Sequence, residues 1–513
     1  MNIFLRLLEK RAKSVNDIVL IDSKSGKEIS AEELLDSAYN MAEKLYSLGI
    51  RRNDYIVLSL PPSLEYYSVL YGCFALGAIP SLVDVKQKKE NLVTCIDELK
   101  PSLWISTKDI PDFSTITPEN LLQQSSVKIP KIEISSDTTC MLLYTTGTTG
   151  VPKGVPWTVG QLESQAIELN AFHKQINTEF VIFPYLALAC IYNNRTAIIP
   201  HTRTTQPNLM PIESILSQMK THGCDYIFAS PAFWARVISH LNRTQEKLEF
   251  IKIISTAGAS LNLIMLQKLD DLLPNGEIYI PYASTEALLP ITQIQFTDFK
   301  ELSRNRTSIN AGVPLGKSCS GINIQVIGRD DESALPKPLP ANTVGELVVS
   351  GSRITTEYFR RSDITLKSKT KLYGSDFTWH KMGDLGYIDE NGMAWFMTRK
   401  KYVFNTPNKI FYPDALEQCL NIHGDLISSA VIYMEDTDSV CVVIPETERE
   451  HTNELSLKEK LKEVGYMKSQ VYFYPSLLPS DNRHNSKINR NILKQWVSSK
   501  SNVFNCEDTL CNR

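Results

Sequence analysis

Apolar residues along this chain fall into two spacings. Short unbroken runs, as in DYIVLSLP (54–61) and IPSLVDV (79–85), read as buried strands, and the longer segment SLEYYSVLYGCFALGA (63–78) between them reads as a helix. The same rhythm recurs in EFVIFPYL, CDYIFASPAFWARVISHL and FIKIISTAGAS. Strand and helix in alternation predict an α/β domain built on mainly parallel sheets. Near residue 320 the pattern turns strand-rich, with INIQVIG, GELVVSG and GYIDENGMAWFM, the last predicting a hairpin that reverses at Glu390-Asn391-Gly392. After Thr398-Arg399-Lys400-Lys401 a shorter unit follows, with strand-like SSAVIYM and SVCVVIP and helix-like NELSLKEKLKEVG. The expected organisation is therefore a large N-terminal body over 1–399, with parallel sheets, helices and a β-subdomain. A small α+β C-terminal domain over 400–513 follows, joined to the body by the basic cluster.

Length agrees with that division, because 513 residues exceed what one core usually organises. A formal net charge of -3 with no long basic run gives no reason to expect nucleic acid as a partner. The start, MNIFLRLLEKRAKS, is interrupted by Arg6, Glu9 and Lys10, which suits a short amphipathic helix and not a signal peptide. No stretch is long and apolar enough for a stable membrane span, so a cytoplasmic location is expected. None of the 10 cysteines forms a C-x-x-C pair, and most lie in apolar runs, which predicts buried reduced thiols. Cys506 and Cys511, in the tail CEDTLC, are the one pair placed to join under oxidation.

The densest candidate chemistry is TTGTTGVPKG (145–154). Glycines let backbone amides approach an anion, threonine hydroxyls donate to its oxygens, and a lysine supplies countercharge, so this loop is a phosphate cradle. The spacing is not that of a P-loop NTPase, since Pro152 stands where the second glycine is needed and Gly154 follows Lys153.

YTTGTTGVPKG, YASTEA (282–287), GELVVSG (345–351), HKMGDLGYIDENG (380–392), MTRKKY (397–402) and NSKINR (485–490) together resemble, in order and over nearly the whole chain, the acyl-adenylate-forming superfamily. Its members use ATP to convert a carboxylate into an acyl-AMP. The resemblance implies ATP and Mg²⁺ as cofactors and a small-molecule carboxylic acid as substrate. Residue by residue, it implies that Thr145, Thr146, Gly147, Thr148, Thr149, Gly150 and Lys153 hold the phosphates. Glu286 would be the magnesium ligand, with Thr148 near the metal. Tyr282 would lie against adenine, with Ala283, Ser284 and Thr285 beside it and Gly258 and Ala259 as the opposite wall. Asp384 would accept both ribose hydroxyls and Arg399 would add a ribose contact. Lys487 would bridge carboxylate and α-phosphate as the catalytic lysine, delivered by a domain hinged at Lys401.

Departures from the common pattern narrow the reading. Acyl-CoA synthetases usually carry K-x-x-G-x-x-I after the hinge, where this chain has NTPNKIF, with Asn405 for the lysine and Asn408 for the glycine. FPYLALA (183–189) also lacks the histidine common in that motif. These stretches, with SPAFWARV and DNRHNSKINR, resemble the β-lactone synthetases of bacterial long-chain olefin biosynthesis. There the β-hydroxyl of an activated β-hydroxy acid attacks its own acyl carbonyl, so no thiol is needed. Other enzymes of a biosynthetic pathway would then be partners. Against a plain hydrocarbon chain, CIYNNRTAIIP (190–200) places Tyr192, Asn193, Asn194 and Arg195 near the expected acyl pocket, either as an exposed helix face or as contacts to a polar substrate. A ligase that passes the acyl group to CoA or a carrier protein is the alternative, and a degenerate adenylate-binding protein a third.

Overall fold

The computed structural model describes residues 2–130, 132–145, 151–172, 175–201, 210–258, 261–305, 311–405, 410–479 and 488–510, the last ten of these as backbone. The buried runs form strands as expected. Leu103–Ser106, Tyr55–Ser59, Ile79–Leu82 and Thr139–Thr145 lie side by side and parallel, and Lys153–Thr158 closes this five-stranded sheet antiparallel to Thr139–Thr145. The helix Leu64–Leu76 crosses between two of these strands and is buried at nearly every position, because it is wedged between the sheet and the helix Ala31–Ser47.

A 14-stranded sheet carries the rest of the body. Ile18–Asp22, Thr196–Ile199, Thr178–Phe180, Tyr226–Ala229, Ile253–Thr256 and Glu277–Ser284 run parallel. From Glu277–Ser284 onward the sheet turns antiparallel through Ala287–Gln295, Val313–Ser318, Ala394–Arg399, Trp379–Ile388, Gly345–Gly351 and Ile322–Ile327. This is the change from helix-spaced to strand-rich sequence seen near residue 320. The predicted hairpin is present: Ile388 pairs with Ala394, and Gly392 takes φ +76 at the reversal.

The N-terminal segment forms the helix Ile3–Arg11, whose apolar face is packed into the body. Among the described residues, no helix is long and apolar enough to cross a membrane. The eight cysteines with described side chains are free and buried, and the tail pair Cys506 and Cys511 lies outside the described side chains.

The smaller C-terminal domain is a three-stranded sheet of Ala430–Met434, Ser439–Pro445 and Ser469–Tyr474. Alternation along the first strand sorts its residues between two layers. Val431 and Tyr433 meet the helices Pro413–Gly424 and Glu454–Glu463, whereas Ala430, Ile432 and Met434 meet Leu493 and Val497 of the helix Arg490–Leu510. This domain rests on the body through Ala415, which joins the cluster of Tyr387, Trp395 and Met397. Asn262 adds a second attachment, its Nδ2 donating to the carbonyls of Leu426 (2.7 Å) and Ile427 (2.9 Å).

Candidate active site

The site is organised by the turn between Glu277–Ser284 and Ala287–Gln295. Ser284 pairs with Ala287, so Thr285 and Glu286 alone make the reversal and project from the sheet. Three neighbours fix them. Trp157 Nε1 donates to the Thr285 carbonyl at 2.8 Å. Thr355 donates to the Glu286 carbonyl from both its backbone N (2.9 Å) and its Oγ1 (3.1 Å). Tyr358 OH donates to Glu286 Oε1 at 2.6 Å. Burial pushes the Glu286 carboxyl up, but the groups around it, the Tyr358 hydroxyl and Lys369 among them, outweigh it, so its pKa lies below the usual value. Glu286 is thus a turn carboxylate with one oxygen committed to Tyr358. Among the described residues, no cluster of three or more metal-binding side chains exists. A single carboxylate with a spare oxygen suits a hard cation held mainly by phosphates, as Mg²⁺ is in nucleotide sites.

The hairpin strand also presents Tyr282, whose hydroxyl donates to Asp384 Oδ2 at 2.5 Å. Asp384 lies on Trp379–Ile388 directly across from Arg399 on Ala394–Arg399, and Arg399 Nη1 meets Asp384 Oδ1 at 2.8 Å. Three residues far apart in sequence are therefore one network. Burial and the Asp384 charge push the Tyr282 phenol well above its ordinary value, so it remains a donor. The carboxylate, in turn, reinforces the positive charge of Arg399. Asp384 is 1 % exposed whereas Arg399 is 32 % exposed, so the network has a dry root and an accessible tip.

Gly258 follows Ile253–Thr256, the strand that pairs parallel with Glu277–Ser284, and takes φ +102. A Cβ added there would meet nothing within 4 Å, so this edge offers a backbone wall with open space above it. Ala283 is half-buried between two apolar clusters, and the buried Ser284 Oγ has no partner among the described residues.

Thr145 ends one strand and Lys153 begins the next, and the two are register partners, so the loop's ends meet. Thr146, Gly147, Thr148, Thr149, Gly150 and Ala259 lie outside the described residues. Lys153 Nζ stands 5.4 Å from the centroid of the Tyr358 ring, which brings the loop's lysine to the Glu286 side. Lys487 also lies outside the described residues. Its flanks are fixed: Asn489 N donates to the Pro479 carbonyl at 2.7 Å, and the buried Arg490 pairs with Glu417 (2.6 Å) and Asp414 (3.4 Å).

Tyr358, Lys369 and His380 belong to this site and were not anticipated. Lys369 pairs in register with His380, and both are buried. Its amine donates to the Thr355 carbonyl and, at 3.2 Å, to Thr355 Oγ1. Burial lowers the Lys369 pKa to about 7. Burial, with Lys369 alongside, lowers that of His380 to about 3, so the ring is neutral. The only signal in sequence was a polar pair, His380-Lys381, ahead of M-G-D inside an otherwise apolar strand.

The polar segment after Cys190 has neither of the roles considered for it, apart from the exposed Asn194. Arg195 is 3 % exposed and paired with Glu179 at 2.6 Å, Asn193 Nδ2 donates to the Ala166 carbonyl, and Tyr192 OH donates to Glu163. These groups are spent holding helices and strands together. Rings stand near the turn: Trp157, which holds Thr285, lies against Tyr185 (5.2 Å between centroids), and Phe183 lies against Phe228 (5.4 Å) in the cluster that includes Ala283.

Comparison with known proteins adds four likenesses. The family described as AMP-binding enzyme matches residues 8–359. The olefin beta-lactone synthetase of Xanthomonas campestris pv. campestris is 28% identical over 499 residues, covering 88% of this chain and 88% of that protein. The olefin beta-lactone synthetase of Stenotrophomonas maltophilia is 27% identical over 503 residues, covering 90% and 89%. Among solved structures, the O-succinylbenzoate coenzyme A synthetase of Bacillus subtilis, in complex with ATP and magnesium ion, aligns with a TM-score of 0.76 at 21% identity, covering 95% of this chain and 99% of that one.

Proposed function

The chain belongs to the AMP-binding enzyme family, and from that membership we propose that it activates a β-hydroxy carboxylic acid with ATP and closes it to a β-lactone. The observation that carries the first half is the Tyr282–Asp384–Arg399 network standing beside the Glu286 turn. On this reading the Tyr282 ring lies against adenine with the open space at Gly258 opposite, and Asp384 accepts the vicinal hydroxyls of the ribose. Glu286 and Lys153 serve the phosphate end, where a bound Mg²⁺ would offset the charge of the leaving pyrophosphate. Arg399 orients Asp384, and the strand pairing around it excludes water.

Lys487 is read as the cation that approaches the α-phosphate while the substrate carboxylate attacks it. Residues 400–513 would move it there as a unit and leave once the acyl-AMP has formed. In the second step the β-hydroxyl oxygen bonds to the acyl carbon, the bond to the AMP oxygen breaks, and the hydroxyl proton passes to solvent. The products are lactone, AMP and pyrophosphate. The two curated relatives support this half, as does Asn405 where CoA ligases usually carry lysine. The buried partners of Arg195 remove the sequence argument for a polar acyl chain, and the rings of Tyr185, Phe183 and Phe228 suit an apolar one.

Mass spectrometry of products from ATP, Mg²⁺ and a panel of β-hydroxy acids, with and without CoA, tests the reading. A product lighter than its acid by one water, formed without CoA and matched by AMP, is expected. A thioester formed only with CoA would assign a ligase instead, and no AMP under any condition would leave only a nucleotide-binding protein.

A further inference from the structure

Behind Glu286 lies a polar group that the reaction outlined above does not use. Lys369 and His380 face one another across a strand pair, 8 % and 4 % exposed, in a body where buried amines and imidazoles need partners. The Lys369 amine has two, both from Thr355. Thr355 is the residue that grips the Glu286 carbonyl, and three positions further along the same segment Tyr358 grips the Glu286 carboxylate. The Lys369 amine stands 5.9 Å from the Tyr358 ring centroid, which also lies within 5.4 Å of Lys153. One bracket, Thr355 to Tyr358, thus aims Glu286, and Lys369 fixes that bracket to the sheet. His380 is different: its Nδ1 is buried and has no hydrogen-bond partner among the described residues. In the neutral ring protonated at Nε2, Nδ1 is an acceptor. A buried acceptor beside a carboxylate calls for a donor, and the occupant of the site is placed to bring one.

We propose that Lys369 and His380 are positioning residues for the metal end of the nucleotide site, Lys369 aiming Glu286 through the Thr355–Tyr358 bracket and His380 supplying the acceptor that a hydrated divalent cation satisfies. This rests on the reading of Glu286 as the metal-side carboxylate. Residues that orient a metal's ligands change its affinity by about 10- to 100-fold when removed, without touching groups elsewhere in the site.

The test is direct binding, not turnover. Mn²⁺ affinity is read by electron paramagnetic resonance in the presence of α,β-methylene-ATP, and AMP affinity by calorimetry in the same variants. Lys369→Met and His380→Phe are expected to weaken Mn²⁺ by about tenfold while AMP binding stays within about twofold of the parent. Lys369→Arg and His380→Gln, which keep a donor and an acceptor, are expected to recover most of the loss. Unchanged Mn²⁺ affinity in both apolar variants would overturn the proposal, as would parallel loss of Mn²⁺ and AMP affinity without rescue. Failure of the parent protein to bind AMP at all would instead sink the functional reading on which the proposal stands.

Discussion

Asp384 shows how much one side chain can be asked to do. Its two oxygens meet Tyr282 and Arg399 from different strands, and on the reading proposed above it also accepts the ribose from a position only 1 % exposed. Asp384→Asn keeps the shape but turns an acceptor into a donor facing either a hydroxyl or a guanidinium. Pyrophosphate exchange should fall about 100-fold in kcat/KM, which is roughly 2.7 kcal/mol of transition-state stabilisation. Urea unfolding should show a loss of about 1–3 kcal/mol. An exchange rate within a few fold of the parent would remove Asp384 from the site. His380 makes a different prediction. Its folded pKa is depressed to about 3 from 6.5, so between those values the unfolded chain binds a proton that the folded one does not. Stability is therefore complete above pH 6.5 and falls as pH drops toward 3, by about 1.4 kcal/mol per unit where the difference is fully developed. Comparing parent with His380→Gln at pH 7.5 and 5.5, the parent should lose about 1 kcal/mol more than the variant on acidification.

At the scale of elements, the strand Lys153–Thr158 and the segment ending at Phe359 are joined at Gly154. Phe359 N donates to the Gly154 carbonyl at 2.8 Å, and a Cβ on Gly154 would stand 3.0 Å from Phe359 Cβ and 3.3 Å from Tyr144 Cζ. Gly154→Ala should push the loop strand off the segment that carries Tyr358, raising the KM for ATP several-fold while AMP affinity stays near the parent, with a stability cost of about 1–2 kcal/mol. Equal losses for ATP and AMP would mean the joint serves the whole site. The same elements show what was readable in the sequence. Tyr282, Asp384 and Arg399 were legible as candidates because YASTEA, HKMGDLGYIDENG and MTRKKY resemble the motifs of the acyl-adenylate-forming superfamily. Their meeting was not, since it depends on which strands are neighbours in the sheet. Lys369 was hidden for a local reason: it sits in LKSKTKLYG with Lys367 and Lys371 exposed on either side, and reads as one more solvated lysine. Only pairing with His380 tucks it inward. Arg195 misled for the converse reason, because its partner Glu179 is on a strand whose adjacency the sequence does not state.

For the molecule as a whole, the relation between the body and the smaller domain rests on few contacts of different kinds. Apolar contacts join Ala415 to Tyr387, Trp395 and Met397 and bring Ile422 and Ile427 against the body's core, and polar ones include Thr398 Oγ1 donating to Asp414 at 2.6 Å and the Asn262 amide on two carbonyls. Asn262→Ala would leave both carbonyls unpaired in a buried place and should weaken docking by about 1–3 kcal/mol. Limited proteolysis in the connecting residues 400–412 should speed up accordingly. Cleavage at the parental rate would show that the remaining contacts set the docked arrangement without the Asn262 amide.

The Asn262 attachment also has an evolutionary consequence. It grips main-chain oxygens, which every residue type supplies, so the gripped side can drift in sequence at Leu426 and Ile427 without loosening the bond, within the limits their own packing sets. The gripping side has no such freedom, since only a primary amide of that length reaches both oxygens. In a saturation library scored for survival, the two faces of this one contact should therefore carry very unequal constraint, with substitution accepted at 426 and 427 and rejected at 262.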